Sequence, residues 1–272
     1  MPGPQRQRYP APEIETRNRQ LNFRHDRVRT ALAALALLAA SAAAWAGPPF
    51  RTDDPEAVEY KHAEVYVFYT QTLGADGRTG VLPALEFNYG VYEDVQLHLV
   101  APLAFSTPSG MSATHGYGDT ELGVKWQWNE ETETMPIVGI FPLVEIPTGN
   151  SDKGLGNGHT QVFIPVWLQK KWGNFQTYGG GGYWVNNGPD NTNYWFFGWQ
   201  MQYEISEHLT FGGELFHTTS QVVGQGAGTG FNLGGFYNLD EHNHLLFSAG
   251  KGLQNAAETN RVSSYVGYQY TF

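Results

Sequence analysis

Cysteine is absent from all 272 residues, which excludes a disulfide scaffold, a Cys-based zinc site and a lipid-modified N-terminal Cys. Basic charge is scarce: 16 Lys and Arg stand against 26 Asp and Glu, for a net charge of −10. Such a chain lacks the basic stripes that meet phosphates, so nucleic acid is not an expected partner. Long apolar runs are missing beyond residue 46, where no stretch approaches the roughly 20 apolar residues of a spanning helix. That excludes a helical membrane domain from this part of the chain. It does not exclude a membrane barrel, whose strands alternate lipid-facing and lumen-facing residues and so keep a modest mean hydropathy. What is plentiful is Gly (33), Phe (16), Tyr (15) and Trp (8).

The apolar run that does exist lies near the start. Arg24, Arg27 and Arg29 precede Ala31 to Ala40, and a small-x-small site follows at Ala44-Trp45-Ala46. A charged region, an apolar region of this length and such a site read as an export signal cut between Ala46 and Gly47. Residues 1–46 are then a signal peptide with an unusually long leader, and translation from Val28 leaves a signal of ordinary length. Seven Arg and three acids precede the cut, so the 226-residue product carries −14. The missing cysteines suit a product that folds in the periplasm with no need of oxidation.

Residues 47–60 carry three prolines and no useful period, and read as an extended N-terminal segment. From 61 to 272 the chain divides into twelve segments of about 10–12 residues, the length of membrane strands. They are 61–72, 82–91, 94–104, 118–128, 135–147, 160–172, 175–186, 193–205, 209–218, 229–238, 244–252 and 261–272. Six alternate cleanly; in others Pro136, Pro142 and the run Gly179–Gly182 blur the period. Long connections rich in Gly, Asn, Ser and Thr alternate with short ones such as Tyr92-Glu93 and Gly173-Asn174. Short periplasmic turns and longer outer loops are the asymmetry of outer-membrane barrels, and an even strand count returns both ends to the short-turn side.

The two faces differ. One presents Leu97, Leu99, Val124, Trp126, Trp195, Phe197 and Trp199, with aromatic residues gathered near strand ends as an interfacial girdle requires. The other is polar. It carries Glu64 on the first segment, Glu86 and Asn88 on the second, Gln96 and His98 on the third, and Glu121, Lys125 and Gln127 on the fourth. Gln161, Gln169 and Lys171 continue it on the sixth, Gln200, Gln202 and Glu204 on the eighth, and Glu214 on the ninth. So many charges do not suit a small dry core, which argues for lipid outside and a polar lumen inside. The expected fold is all-β: a transmembrane antiparallel barrel of about 12 strands. Phe50 and Val58 are apolar residues that a solvated tail has no reason to hold. The segment 47–60 is therefore expected to fold into the periplasmic end of the lumen, where Thr52, Asp53 and Asp54 meet groups such as Lys125 or Lys171. The chain ends on an alternating strand whose last residue, Phe272, is the usual signal read by the barrel-assembly machinery.

Three words of sequence add to this: Gly47-Pro-Pro-Phe-Arg-Thr-Asp-Asp-Pro, Gly118-Asp-Thr-Glu-Leu-Gly-Val-Lys-Trp, and Val144-Glu-Ile-Pro-Thr-Gly-Asn followed by Gly154-Leu-Gly-Asn-Gly. In combination they resemble the family labelled "MetA-pathway of phenol degradation", and the resemblance spans Gly47 to Phe272. It implies an outer-membrane barrel transporter with a loose link to aromatic degradation, and it carries over no functional residues.

Sites of other chemistry are not indicated. No His lies in a nucleophile elbow or a His-Glu-x-x-His motif, and His242-x-His244 adjoins a polar turn. Residues 150–158 lack the acid pattern of a calcium loop and the Gly-Lys-Ser/Thr of a phosphate loop. No catalytic residue, metal or cofactor is expected. The expected function is a channel for passive uptake of small molecules, with a narrow bore because twelve strands lie between filled barrels and open porins. Aromatics on the inner face (Tyr66, Phe68, Trp167, Tyr194, Phe196, Tyr265) suit small aromatic or semi-polar solutes. The alternatives are an outer-membrane hydrolase or protease, which needs a converging Ser, His and acid, and an adhesion barrel with a blocked lumen. Lipid of the outer membrane is the expected surrounding partner.

Overall fold

The computed structural model describes residues 48–272; the export signal, its cut between Ala46 and Gly47 and the start at Val28 lie outside the described residues. Twelve wall strands follow in chain order: β1 (Ala63–Leu73), β2 (Gly77–Tyr92), β3 (Val95–Pro108), β4 in two pieces (Thr114–Tyr117 and Thr120–Gln127) and β5 in two pieces (Ile137–Ile140 and Leu143–Ile146). They continue as β6 (Gln161–Trp172), β7 (Phe175–Asn186), β8 (Tyr194–Glu204), β9 (Leu209–Thr218), β10 (Gly228–Asn238), β11 (Asn243–Gln254) and β12 (Val262–Thr271). Each pairs antiparallel with its sequence neighbours, and β1 pairs with β12 from Glu64↔Thr271 to Leu73↔Val262. The sheet is therefore a closed antiparallel barrel of 12 strands. Its seam is tied at the end by Ala63 N–H to the Phe272 carbonyl at 2.7 Å and Phe272 N–H to the Ala63 carbonyl at 3.0 Å. Closure leaves no edge with unpaired backbone groups, the condition for crossing hydrocarbon. Among the described residues no helix is long and apolar enough to cross a membrane.

The exposed face is the apolar one. On β8 the outward Trp195, Phe197, Trp199, Met201 and Tyr203 are 45–54% exposed, while the inward Phe196, Gln200 and Gln202 are at most 5% exposed. A soluble barrel has the opposite arrangement, so this inversion identifies the solvent of the outer surface as lipid. Aromatic rings cluster at both rims. Trp126 meets Trp128 edge-on at 5.8 Å and Tyr270 meets Phe272 at 5.7 Å on the side of the short turns, and Trp195 stacks on Phe197 at 5.8 Å toward the other side. Lys170 faces outward but reaches Glu131 at 2.9 Å in the connection after β4, a long stem carrying its charge past the apolar belt.

Two strands run longer than the alternation indicates. β2 starts at Gly77 and β3 ends at Pro108, so the first connection shrinks from nine residues to Gly74, Ala75 and Asp76. The extension (Arg78, Thr79, Gly80 opposite Thr107, Ser106, Phe105) does not keep a period of two: adjacent Phe105 and Ser106 are both buried, and adjacent Arg78 and Thr79 are both exposed. In β5 Pro142 offers no N–H to the ladder and splits the strand, and the Pro142 carbonyl accepts from Val124 N–H at 3.1 Å. The run Gly179–Gly182 in β7 is regular strand. A Cβ on Gly179 would strike the outward ring of Trp199, and one on Gly180 would crowd the inward ring of Trp167. The glycines thus thin the wall where large rings cover it from both sides.

Candidate functional site: the lumen and its N-terminal segment

Residues 48–60 thread the lumen. Tyr60 bridges to Gly90 at the mouth on the short-turn side. From there, toward lower residue numbers, the chain climbs the interior. Val58 N–H donates to Gln96 Oε1 at 3.0 Å and Ala57 N–H to Gln127 Oε1 at 3.2 Å. Gln169 donates to Glu56 at 2.7 Å. Lys125 Nζ lies 3.0 Å from Asp53 and 3.5 Å from Asp54. Glu214 takes three bonds from the segment: Arg51 N–H at 2.9 Å, Thr52 N–H at 2.8 Å and the Thr52 hydroxyl at 2.6 Å. Ser248 donates to the Pro49 carbonyl at 2.6 Å. An irregular, proline-rich stretch has no ladder to satisfy its backbone, so side chains of the wall take that role. The approach is close because Gly198 on β8 has no side chain; a Cβ there would overlap Thr52. Thr52 and Asp54 have no exposed surface and Pro55 almost none, so the segment is sealed against the wall at this level.

Burial holds the Asp54 carboxyl well above its ordinary range, against the opposing pull of Lys125. Burial also raises Glu56, against the hydrogen bond from Gln169.

All fifteen polar residues assigned to the lumen by alternation lie on the inner side, buried or half-buried. They do not line an open bore. Gln96, Lys125, Gln127, Gln169 and Glu214 grip the segment, as described above. The others pair with the wall. Asn88 donates to Glu86 at 2.9 Å, and the two ring nitrogens of His98 reach Asn88 at 2.7 Å and Glu121 at 2.8 Å. Glu64 accepts from the Tyr66 hydroxyl at 2.7 Å, Gln200 donates to Gln202 at 2.9 Å, and Gln161 bonds Asn186. Lys171 pairs with Glu204 at 2.7 Å and not with the segment; of the two lysines considered, Lys125 meets Asp53 and Asp54.

Alternation placed Trp167 and Phe196 on the inner face but did not show two features. The first is an aromatic cluster of Phe141, Phe163, Trp167, Phe196 and Phe216, with Leu143 and Trp184 against it, filling one flank of the lumen. Its trace in the sequence is the stretch Val162 to Leu168, apolar on both faces. The second is a chamber of about 720 Å³ above the segment, floored by Pro48, Pro49, Phe50 and Arg51 and walled by β1–β5 and β9–β12. Arg51 belongs to the same word as Asp53 and Asp54, but nothing in its local sequence shows that it faces this space. Among the described residues no group of His, Cys, Asp and Glu could hold a metal ion.

A closed barrel of twelve strands with a lipid-facing apolar belt is a transmembrane barrel of the outer-membrane type. The family model described as "Putative MetA-pathway of phenol degradation" matches residues 62–272, and the chain belongs to that family. No curated protein matches it. Among solved structures it is similar to the COG4313 outer membrane channel from Pseudomonas putida F1, with a TM-score of 0.68 at 17% identity over 80% of this chain and 98% of that one. It is also similar to the NanC porin, with a TM-score of 0.51 at 10% identity over 77% of this chain and 98% of that one. At these identities the likeness concerns the fold.

Proposed function

We propose that the protein is a passive outer-membrane channel for small molecules, narrowed by residues 48–60, and that its solutes are aromatic or otherwise semi-polar. One observation carries the reading: the segment occupies the lumen without being part of the sheet, held by polar bonds beneath a chamber open enough to receive a solute. A filled core needs no such chamber, and a conduit does. The chamber mixes Phe50, Phe68, Phe216 and Tyr265 with carboxylates and amides, a lining that favours flat semi-polar molecules over large sugars. The family description and the channel and porin likenesses agree with transport, and the link to phenol degradation agrees with aromatic solutes. The seal at Thr52, Asp54 and Pro55 favours a second reading, a barrel with a permanently blocked lumen.

Planar-bilayer conductance of the protein and of a variant lacking residues 48–57 decides. The channel reading expects a small current that becomes larger or noisier in the variant, together with liposome swelling faster in phenols than in disaccharides. Two silent proteins would support the blocked barrel.

A further inference from the structure

Among the described residues, Arg51 is the only Lys, Arg or His lining the chamber. Among the described residues its guanidinium makes no ion pair and no hydrogen bond, although the backbone N–H of the same residue is bonded to Glu214. The side chain is exposed to the enclosed space, and its guanidinium lies over the rings of Phe216 at 4.4 Å and Phe196 at 5.5 Å. Ring faces hold a guanidinium by its plane and leave its edge of N–H donors free. A forked set of donors without an acceptor, beside aromatic surface, matches a carboxylate attached to a ring.

Glu214 is the carboxylate whose charge acts most on this guanidinium, but its oxygens accept from Arg51 N–H, Thr52 and Asn232 and make no ion pair with the Arg51 side chain. Among the described residues the carboxylates around the chamber make none either. Glu121 is engaged by His98, and Glu86 accepts from Asn88. Asp119 accepts from Gly149 and Asn157 N–H, and Glu145 from Asn157 Nδ2. These four stand on β2, β4, β5 and the bend within β4, and a fifth, Glu258, lies in the connection between β11 and β12, whereas the rings under Arg51 belong to β8 and β9. This acidic side repels multiply charged anions, so the entering acid is small and singly charged with an apolar body.

We propose that Arg51 is the docking group for the carboxylate of a small aromatic acid, whose ring lies against the aromatic lining of the chamber. The proposal deepens the channel reading by naming the solute class, and it rests on that reading only for the solute's passage. The chamber of about 720 Å³ falls within the range of roughly 300–1,000 Å³ usual for ligand pockets.

Equilibrium dialysis of the purified full chain in detergent tests the site apart from conductance. The probes are benzoate, benzyl alcohol and acetate at pH 7. Benzoate should bind at least tenfold more tightly than benzyl alcohol, which lacks the charge, or acetate, which lacks the ring. Arg51→Gln should lose at least tenfold for benzoate and leave benzyl alcohol unchanged, and Arg51→Lys should fall between. Equal binding of benzoate and benzyl alcohol to the unaltered protein would overturn the proposal, whether or not the variants fold. So would full benzoate affinity in a folded, heat-modifiable Arg51→Gln barrel. A protein that conducts but ignores benzoate would lose this site and keep the channel; one that binds benzoate with Arg51 dependence but conducts nothing would keep the site and lose the channel.

Discussion

At the scale of single residues, the docking of the segment turns on Lys125. It is buried, it is the cation within 4 Å of Asp53 and Asp54, and Asp54 has no exposed surface. Removing one partner of a buried pair strands the other charge at a cost of about 3–5 kcal/mol. Lys125→Met should therefore free the segment more often, seen as a higher open fraction in single-channel records, while the barrel stays heat-modifiable. The pH dependence has a definite sign. Asp54 and Glu56 are raised in the docked state, so docking is favoured by protons. That contribution is complete below their ordinary values of 3.8 and 4.5 and is lost as pH climbs through the raised ones. Open events should be more frequent at pH 8 than at pH 5, and a flat profile would count against docking controlled by these carboxyls.

Single strands separate the two surfaces. Leu97 and Val124 are register partners on β3 and β4, both outward and exposed. Arg at either, inside the apolar belt but toward the short-turn rim, should cost up to roughly 2–4 kcal/mol, the midplane value. Arg at Thr70, which faces the chamber from β1, should be far milder. Urea unfolding in liposomes measures the difference, and equal losses would mean that the outer face is not in lipid. On β8, Gly198 tests the seat of the segment in another way. Gly198→Val leaves the ladder hydrogen bonds intact but fills the space of the Thr52 side chain. The expected result is an unchanged sheet spectrum with a larger conductance, close to that of the protein lacking residues 48–57.

The whole barrel depends on its seam. Phe272 supplies two backbone bonds to Ala63 and an outward ring packed on Tyr270, so it closes the ladder. Deleting it should lower the amount of folded, heat-modifiable barrel in outer-membrane fractions. The protein that does insert should keep its conductance, because no lumen group is lost. Normal insertion of the shortened chain would remove Phe272 from assembly.

The sequence by itself determined the barrel, its strand count and the identity of its outer face. These follow from a period of two, which each strand carries locally because successive side chains point to opposite sides of a sheet. Even the broken period at Pro142 and Gly179–Gly182 marked real local events: a split strand and a thinned wall. Alternation also sorted the polar residues to the inside. What each of them touches was decided only by closure. Glu214 meets Thr52 across 162 positions, Lys125 meets Asp53 across 72, and Tyr66 meets Gln269 across 203. Phe141, Phe163 and Phe216 come from three strands to form one cluster. The lumen has no local code, because every point inside a barrel is shared by strands far apart in the chain. Which residues fill it, and where a chamber remains, is a property of the closed sheet and the segment within it.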